Sequence, residues 1–236
     1  APASGRQVWT LIDMFPGRPG MTVIGENGGI VMRDGVEVSS SPLDAPTMRE
    51  VVRLVREATS GPDGIDGGLV MCGKQFAYVE RTDDRFVDGV MPYYHRTKRV
   101  DDQIAIIDAI EAGQIDDAIV KLAVYVIGPV QALAQATLAN FADTHQYAIS
   151  GANWADLQIR GVDKGSAVRD LQRFLGVDRS QTAVFGDAGN DLSMMSEGDL
   201  SFAMANASRD VVEAARFVAP SNNEAGVAQV LRALLV

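Results

Sequence analysis

The sequence predicts an α/β protein: a Rossmann-like parallel-sheet core formed by residues 1–41 and 156–236, interrupted by an inserted α/β cap domain over 42–155. Three observations lead there. After Ile159, apolar strand-like runs alternate strictly with helical periodicities, which is the order of a parallel sheet. Near Pro42 that order gives way to clustered strands and glycine-rich turns, and it returns only near Ile159. Within the alternating stretch, the run Ala183-Val184-Phe185 stops at Gly186 and releases Asp187, Asn190 and Asp191 into the turn that opens the next helix. Open α/β sheets bind ligands beyond the carboxyl ends of their strands, where these side chains emerge.

The elements follow in order. Ser4 reads as the N-cap of a first helix with Val8, Leu11, Ile12 and Phe15 on one face, either a plain cap or a helix start whose N–H groups meet a phosphate. A turn at Pro16–Gly20 precedes a strand over 21–25, and Asn27-Gly28 is a favoured hairpin dipeptide, returning as Ile30-Val31-Met32. Met48, Val51, Val52 and Val55 share a helical face. Strands follow at 68–72 and 75–80, then a polar, turn-rich stretch over 81–100, a helix at 103–112, a β-rich run at 119–127, a helix at 130–141, and strands at 146–150 and 154–159. A helix from Lys164 with Val168, Leu171, Phe174 and Leu175 ends at Gly176. Beyond the 183–185 strand come a short helix with Met194 and Met195, a strand at 200–204, a helix at 208–215, a strand at 217–218 and a last helix at 224–235.

Composition excludes several classes. The formal charge of −10 over 236 residues argues against a nucleic-acid partner, because there is no global basic field. The basic aromatic stretch Tyr93–Lys98, with His95, reads as an exposed segment, and His145 as structural. Cys72 is the single cysteine, so no internal disulfide forms and a cytoplasmic home is expected. No run reaches the roughly 18 apolar residues of a membrane span. An anionic substrate in so acidic a chain needs a locally positive pocket. Asp187 and Asp191, four residues apart, can share a hard cation such as Mg²⁺, although Asp and Asn also cap helices routinely.

The ordered series Gly161-Val-Asp-Lys-Gly165, Gly186-Asp-Ala-Gly-Asn-Asp191, Ala203-Met-Ala-Asn-Ala207 and Ser221-Asn-Asn-Glu-Ala-Gly-Val227 closely resembles the haloacid dehalogenase-like superfamily, in particular Cof-type hydrolases with an inserted α/β cap. Ala3-Ser-Gly-Arg6 resembles that family's second motif, and Glu26-Asn-Gly28 the segment after it. The resemblance implies that Asp187 is the direct carboxylate ligand to Mg²⁺ and that Asp191 holds the ion from nearby or through water. It implies that Lys164 neutralises the nucleophile and the transferring phosphoryl oxygens, that Ser4 and the N–H of Gly5 receive the phosphate, and that Asn190 orients the site. Arg6 and Asn27 fall in its substrate-binding segments. Phosphoryl transfer consists mostly of positioning and of neutralising spread negative charge, which a Lys and a cation supply.

The family's first motif, a strand ending in Asp-x-Asp-Gly-Thr with the nucleophile as its first Asp, is not found here. Asp13, in Leu11-Ile-Asp-Met-Phe-Pro-Gly17, has no second Asp two residues on and falls in the first helix. The expectation is an N-terminally incomplete version of a Mg²⁺-dependent phosphatase. Its substrate is a small phosphorylated metabolite, a sugar phosphate, hydrolysed through an aspartyl-phosphate on a residue upstream of Ala1. The 236 residues alone are then inactive. The alternative is a non-catalytic relative that binds phosphorylated ligands or a partner.

Overall fold

The structure, a computed structural model, describes residues 1–235. They divide into two compact units, Ala1–Val162 and Asp163–Val236.

The first unit begins with α1 (Val8–Met14), β1 (Thr22–Gly25), β2 (Ile30–Arg33) and β3 (Val36–Ser40). Glu26–Gly28 forms a single 3₁₀ turn, and β1-β2-β3 is an antiparallel sheet, with Gly25 facing Ile30. Among the described residues the one parallel partner of β1 is an isolated bridge between Ala3 and Ile24, on the edge away from β2, and the Asn27-Gly28 turn sends the chain back into the antiparallel pair. α1 starts at Val8 behind Gln7, so Ser4 is not its N-cap. The backbone of Ser4 instead bonds to β1, its N–H donating to Ile24 O at 2.9 Å.

The rest of the unit is α2 (Ala45–Thr59), β4 (Gly67–Gly73), β5 (Ala77–Val79), α3 (Asp84–Val90), β6 (Thr97–Arg99), α4 (Gln103–Glu111), β7 (Ile119–Val126), α5 (Gln131–Ala136), β8 (His145–Ile149) and β9 (Trp154–Ile159). The strands form a six-stranded sheet in the order β6-β5-β4-β7-β9-β8, antiparallel except for the β5–β6 pair. α2 is fixed by Asp44, whose side chain accepts from Thr47 N–H, and it lays Met48, Val51, Val52 and Val55 against Leu69, Met71, Leu122 and Val124. The opposite face of the central strands meets Phe86 and Val90 of α3 and also Tyr94. β4 and β7 are thus covered on both sides, which is why they read as continuous apolar runs rather than alternating ones. The helix expected over 130–141 breaks at Thr137 (φ −124°, ψ −86°) and continues as a 3₁₀ turn.

The second unit is α6 (Lys164–Leu175), β10 (Ala183–Gly186), α7 (Leu192–Met195), β11 (Leu200–Met204), α8 (Arg209–Ala214), β12 (Phe217–Ala219) and α9 (Gly226–Leu234). β10-β11-β12 are parallel and in sequential order, the βαβα arrangement read from the sequence. Phe185, Phe202 and Phe217 stand in register, with ring centroids 4.9 and 5.3 Å apart. α6 opens on a capping box at Asp163 and Ser166 and closes at Gly176 in the left-handed region, φ 66°. Its buried face includes Ala167, Val168 and Gln172, while Phe174 and Leu175 are exposed. Gln172 takes the inward position because its amide donates to Glu197 O and Thr182 Oγ1. No helix among the described residues is long and apolar enough to cross a membrane.

Candidate active site

The nominated residues fall into two sets, one in each unit. Ser4, Gly5, Arg6 and Asn27 belong to the first. The Ser4-Gly5-Arg6 loop lies against the Glu26–Gly28 turn: Asn27 N–H donates to Ser4 O, and Glu26 N–H to Arg6 O, both at 2.9 Å. Glu26 and Asn27 both have φ 51°, a conformation rare for non-glycine residues and held only where surroundings fix it. Asn27 Nδ2 donates to Asp156 Oδ2 at 3.1 Å. Arg6 is turned toward the 92–96 segment, donating to Pro92 O at 2.9 Å with its guanidinium over the Tyr93 ring.

Sequence reasoning missed what lies behind this loop. Lys121, in the middle of β7, and Glu26 are each about 1% exposed, with Lys121 Nζ 2.7 Å from Glu26 Oε2 and 3.8 Å from Asp156 Oδ1. Neither Glu26 oxygen accepts a well-aligned hydrogen bond among the described residues, so the contact is one of charge. Desolvation pushes the Glu26 pKa up against the pull of Lys121. Burial works to lower the Lys121 value, but the fields of Asp156 and Glu26 outweigh it and the net shift is upward. The signal was present in the sequence as one ammonium inside the apolar run Ile119-Val-Lys-Leu-Ala-Val.

A pH dependence follows. With a raised folded pKa, Glu26 contributes stability that is fully present below its ordinary 4.5 and is lost as pH rises through the folded value. A Glu26→Gln variant should show a shallower fall in stability as pH rises from 4.5 through the folded value. Urea midpoints measured across pH check this, and parallel curves for the two proteins would contradict it.

Other singled-out residues are accounted for locally. Cys72 is buried beside the Tyr94 hydroxyl at 3.3 Å, and burial raises its pKa, as suits an inert core thiol. Arg96 and Lys98 sit over the rings of Trp9 and Phe76, and His95 Nδ1 is 2.9 Å from Asp13 Oδ2.

Lys164, Asp187, Asn190 and Asp191 belong to the second unit. Lys164, at the start of α6, is buried, and its Nζ donates to Asp191 Oδ1 at 2.7 Å. Asp191 Oδ2 accepts from the N–H groups of Asp187 and Ala188 at 3.0 and 3.1 Å. This fold-back needs Gly186, where a Cβ would stand 2.5 Å from Asp191 Cβ. It also needs Gly165, whose Cβ would meet Ser193 O at 2.4 Å where α6 closes on α7. Asp187 and Asn190 are exposed in the turn after β10. Asp191 is thus committed to Lys164 and the turn, which leaves Asp187 as the open carboxylate. The described residues contain no cluster of three or more His, Cys, Asp or Glu poised for a metal. One open carboxylate nevertheless suits Mg²⁺, which takes one or two carboxylates and keeps several waters.

The family model for haloacid dehalogenase-like hydrolases matches residues 2–231. The chain belongs to that family. Among the curated proteins it is similar to 5-amino-6-(5-phospho-D-ribitylamino)uracil phosphatase YbjI of Escherichia coli K12, with 32% identity over 238 residues, covering 99% of this chain and 82% of that protein. Among solved structures it resembles SMU.1108c from Streptococcus mutans UA159, with TM-score 0.78 and 23% identity over 99% of this chain and 84% of that one. It also resembles a haloacid dehalogenase-like hydrolase from Bacteroides thetaiotaomicron, with TM-score 0.79 and 19% identity over 98% and 85% of the two chains. The structural likenesses bear on the fold, and the α/β class expected of this haloacid dehalogenase-like chain is the one observed.

Proposed function

We propose that this haloacid dehalogenase-like phosphatase is Mg²⁺-dependent and hydrolyses a small phosphorylated sugar or polyol through an aspartyl-phosphate. The observation that carries the reading is the buried Lys164–Asp191 pair, whose carboxylate also accepts from the backbone N–H of the exposed Asp187 at the end of β10. Residues 1–41 and 156–236 are taken as one catalytic domain and 42–155 as its cap. Ser4 and the Gly5 N–H then receive the phosphate, Arg6 and Asn27 line the substrate side, and Asn190 orients the turn. Asp187, with Asp191 close behind, would hold Mg²⁺, which when bound would supply charge neutralisation at the phosphoryl oxygens. Lys164 adds a second positive charge, and both are needed in a chain of net charge −10. The polyol preference rests on the name of the E. coli relative, whose substrate carries a phosphorylated ribityl chain. A cytoplasmic home rests on the single buried thiol of Cys72.

Replacing Asp187 by Asn should weaken Mg²⁺ binding roughly tenfold, since a charged oxygen ligand is lost. Titration calorimetry showing equal affinity in both proteins would reduce Asp187 to a turn residue.

No two aspartates stand two residues apart anywhere in the sequence, and this favours a second reading, a phosphate-ligand-binding relative without turnover. A panel of polyol phosphates, sugar phosphates and phosphoglycolate separates the readings. The chain joined at Ala1 to a strand bearing Asp-x-Asp should release orthophosphate fastest from the polyol and sugar esters, and only with Mg²⁺. Silence of the folded, joined chain across the panel would favour the binding relative.

A further inference from the structure

The Ser4-Gly5-Arg6 loop has three consecutive carbonyl oxygens, and each is held. Ser4 O accepts from Asn27 N–H at 2.9 Å and Arg6 O from Glu26 N–H at 2.9 Å. Gly5 O accepts from Lys121 Nζ at 2.8 Å. The peptide unit joining Gly5 to Arg6 is therefore fixed at both ends, because its N–H, carried by Arg6, donates to Ser4 Oγ at 3.2 Å. The C=O and N–H of a trans peptide point in opposite directions in one plane, so holding the oxygen on Lys121 aims the N–H at Ser4.

That geometry decides what Ser4 can do. A hydroxyl has one donor and two acceptor positions. The Arg6 N–H occupies an acceptor position, and the Ser4 hydroxyl donates to no group among the described residues. The Gly5 N–H likewise has no acceptor among them. The loop thus keeps two donors, and the contact made from the middle of β7 bears on the first of them, the Ser4 hydroxyl. The carboxylates do not account for the lysine alone: Glu26 Oε2 stands 2.7 Å and Asp156 Oδ1 3.8 Å from Nζ, and the ammonium also donates to the loop carbonyl of Gly5 at 2.8 Å. The turn and the loop also lie close together, a Cβ on Gly5 standing 3.1 Å from Asn27 Oδ1, so that the Asn27 side chain would have to give by a few tenths of an ångström.

We propose that Lys121 is a positioning residue for the phosphate-receiving loop. By holding the Gly5 carbonyl it turns the Arg6 N–H onto Ser4 Oγ, and so leaves the Ser4 hydroxyl to donate to a phosphoryl oxygen beside the Gly5 N–H. The inference rests on the phosphatase reading of Ser4, and its test keeps the two apart.

The probe is inorganic orthophosphate with Mg²⁺, titrated calorimetrically into the 236-residue chain. Lys121→Met should weaken orthophosphate binding about tenfold, the value of one charge-assisted hydrogen bond in the right place. The same substitution made on a Ser4→Ala background should change binding less than about twofold, because the group it acts through is gone. A Glu26→Gln/Lys121→Met variant removes both members of the buried pair, and with a cooperative unfolding transition retained it should show the same loss as Lys121→Met. Equal losses with and without Ser4, or full affinity in the folded double variant, would overturn the inference. If Ser4→Ala binds orthophosphate as well as the parent, or the parent does not bind it, the reading of Ser4 itself falls and the inference with it. Loss in Ser4→Ala with none in Lys121→Met overturns the inference alone.

Discussion

Replacing Lys164 by Met is expected to destabilise the second unit by about 3 kcal/mol, at the low end of the range for breaking one side of a buried ion pair. Lys164 is 5% exposed and Asp191 6%, so the carboxylate left behind cannot recover its hydration. The low end applies because Asp191 Oδ2 still accepts two backbone N–H groups after the lysine is gone. Those bonds keep the carboxylate in place, so the damage falls on the α6 contact rather than on the turn itself. A Lys164→Met/Asp191→Asn variant should regain at least half of the loss, since the amide keeps an oxygen for the turn and carries no charge. The probe must see the right unit. Both tryptophans, Trp9 and Trp154, lie in the first unit, so the change is read by amide exchange in α6 or by far-UV dichroism during urea unfolding. A loss below about 0.5 kcal/mol would mean that the pair behaves as a solvated surface bridge. The same variant should lose orthophosphate binding in the protein that retains its fold at low temperature. That separates the ammonium's chemical part from its structural one.

Different parts of the chain were legible for different reasons. The β10 strand, the turn after it and the capped helix from Lys164 could be read because each carries two agreeing signals, periodicity and terminal chemistry. α3 was hidden in a polar stretch, although Asp83 capping Phe86 N–H and the buried Phe86, Val87 and Val90 are ordinary helix signals at a seven-residue length. β3 and β6 have mostly exposed or half-buried residues, so no period-2 alternation marks them. Ser4 was misread as a cap because local sequence cannot show that Ile24 will claim its backbone N–H. Residues 1–41 group with 42–162 for a similarly non-local reason. Gln7 and Thr10 bond to Tyr93 and Arg96, more than 80 positions on, and Lys121 reaches Gly5 from 116 positions away. In the candidate site, the charged residues at motif positions were visible from type and spacing. The Glu26–Lys121–Asp156 group was not, because its members come from a turn and two different strands and meet only through the sheet. A lysine in an apolar strand announces a buried partner, but it does not say which carboxylate or which carbonyl will serve.

Joining an Asp-x-Asp strand ahead of Ala1 is expected to raise p-nitrophenyl phosphate hydrolysis by on the order of 10⁴-fold or more over the 236-residue chain, the scale on which loss of a nucleophile acts in covalent catalysis. The argument is one of elimination among the side chains present. Ser4 Oγ accepts from Arg6 N–H, and among the described residues no imidazole or carboxylate within hydrogen-bond distance takes its proton. Asp191 is held by Lys164 and the turn. In the proposed site Asp187 is the carboxylate left for the cation, and an oxygen bound to Mg²⁺ would be a poor attacking group. Asp13, the nearest rival by sequence, lies in α1 with its Oδ2 2.9 Å from His95 Nδ1. What the chain does hold can gather and neutralise a phosphate, and that alone lowers the barrier far less than a positioned nucleophile with a general acid. Rates are compared at saturating substrate, with and without Mg²⁺. In the joined chain, Asn at the first Asp of the added pair should return the rate to that of the short chain. Strong, Mg²⁺-dependent turnover by the short chain itself would show that one of these eliminations is wrong. In that case Asp187→Asn and Ser4→Ala, assayed in the short chain, identify which, since only the true nucleophile's removal abolishes the covalent phosphoryl-enzyme that trapping with labelled substrate detects.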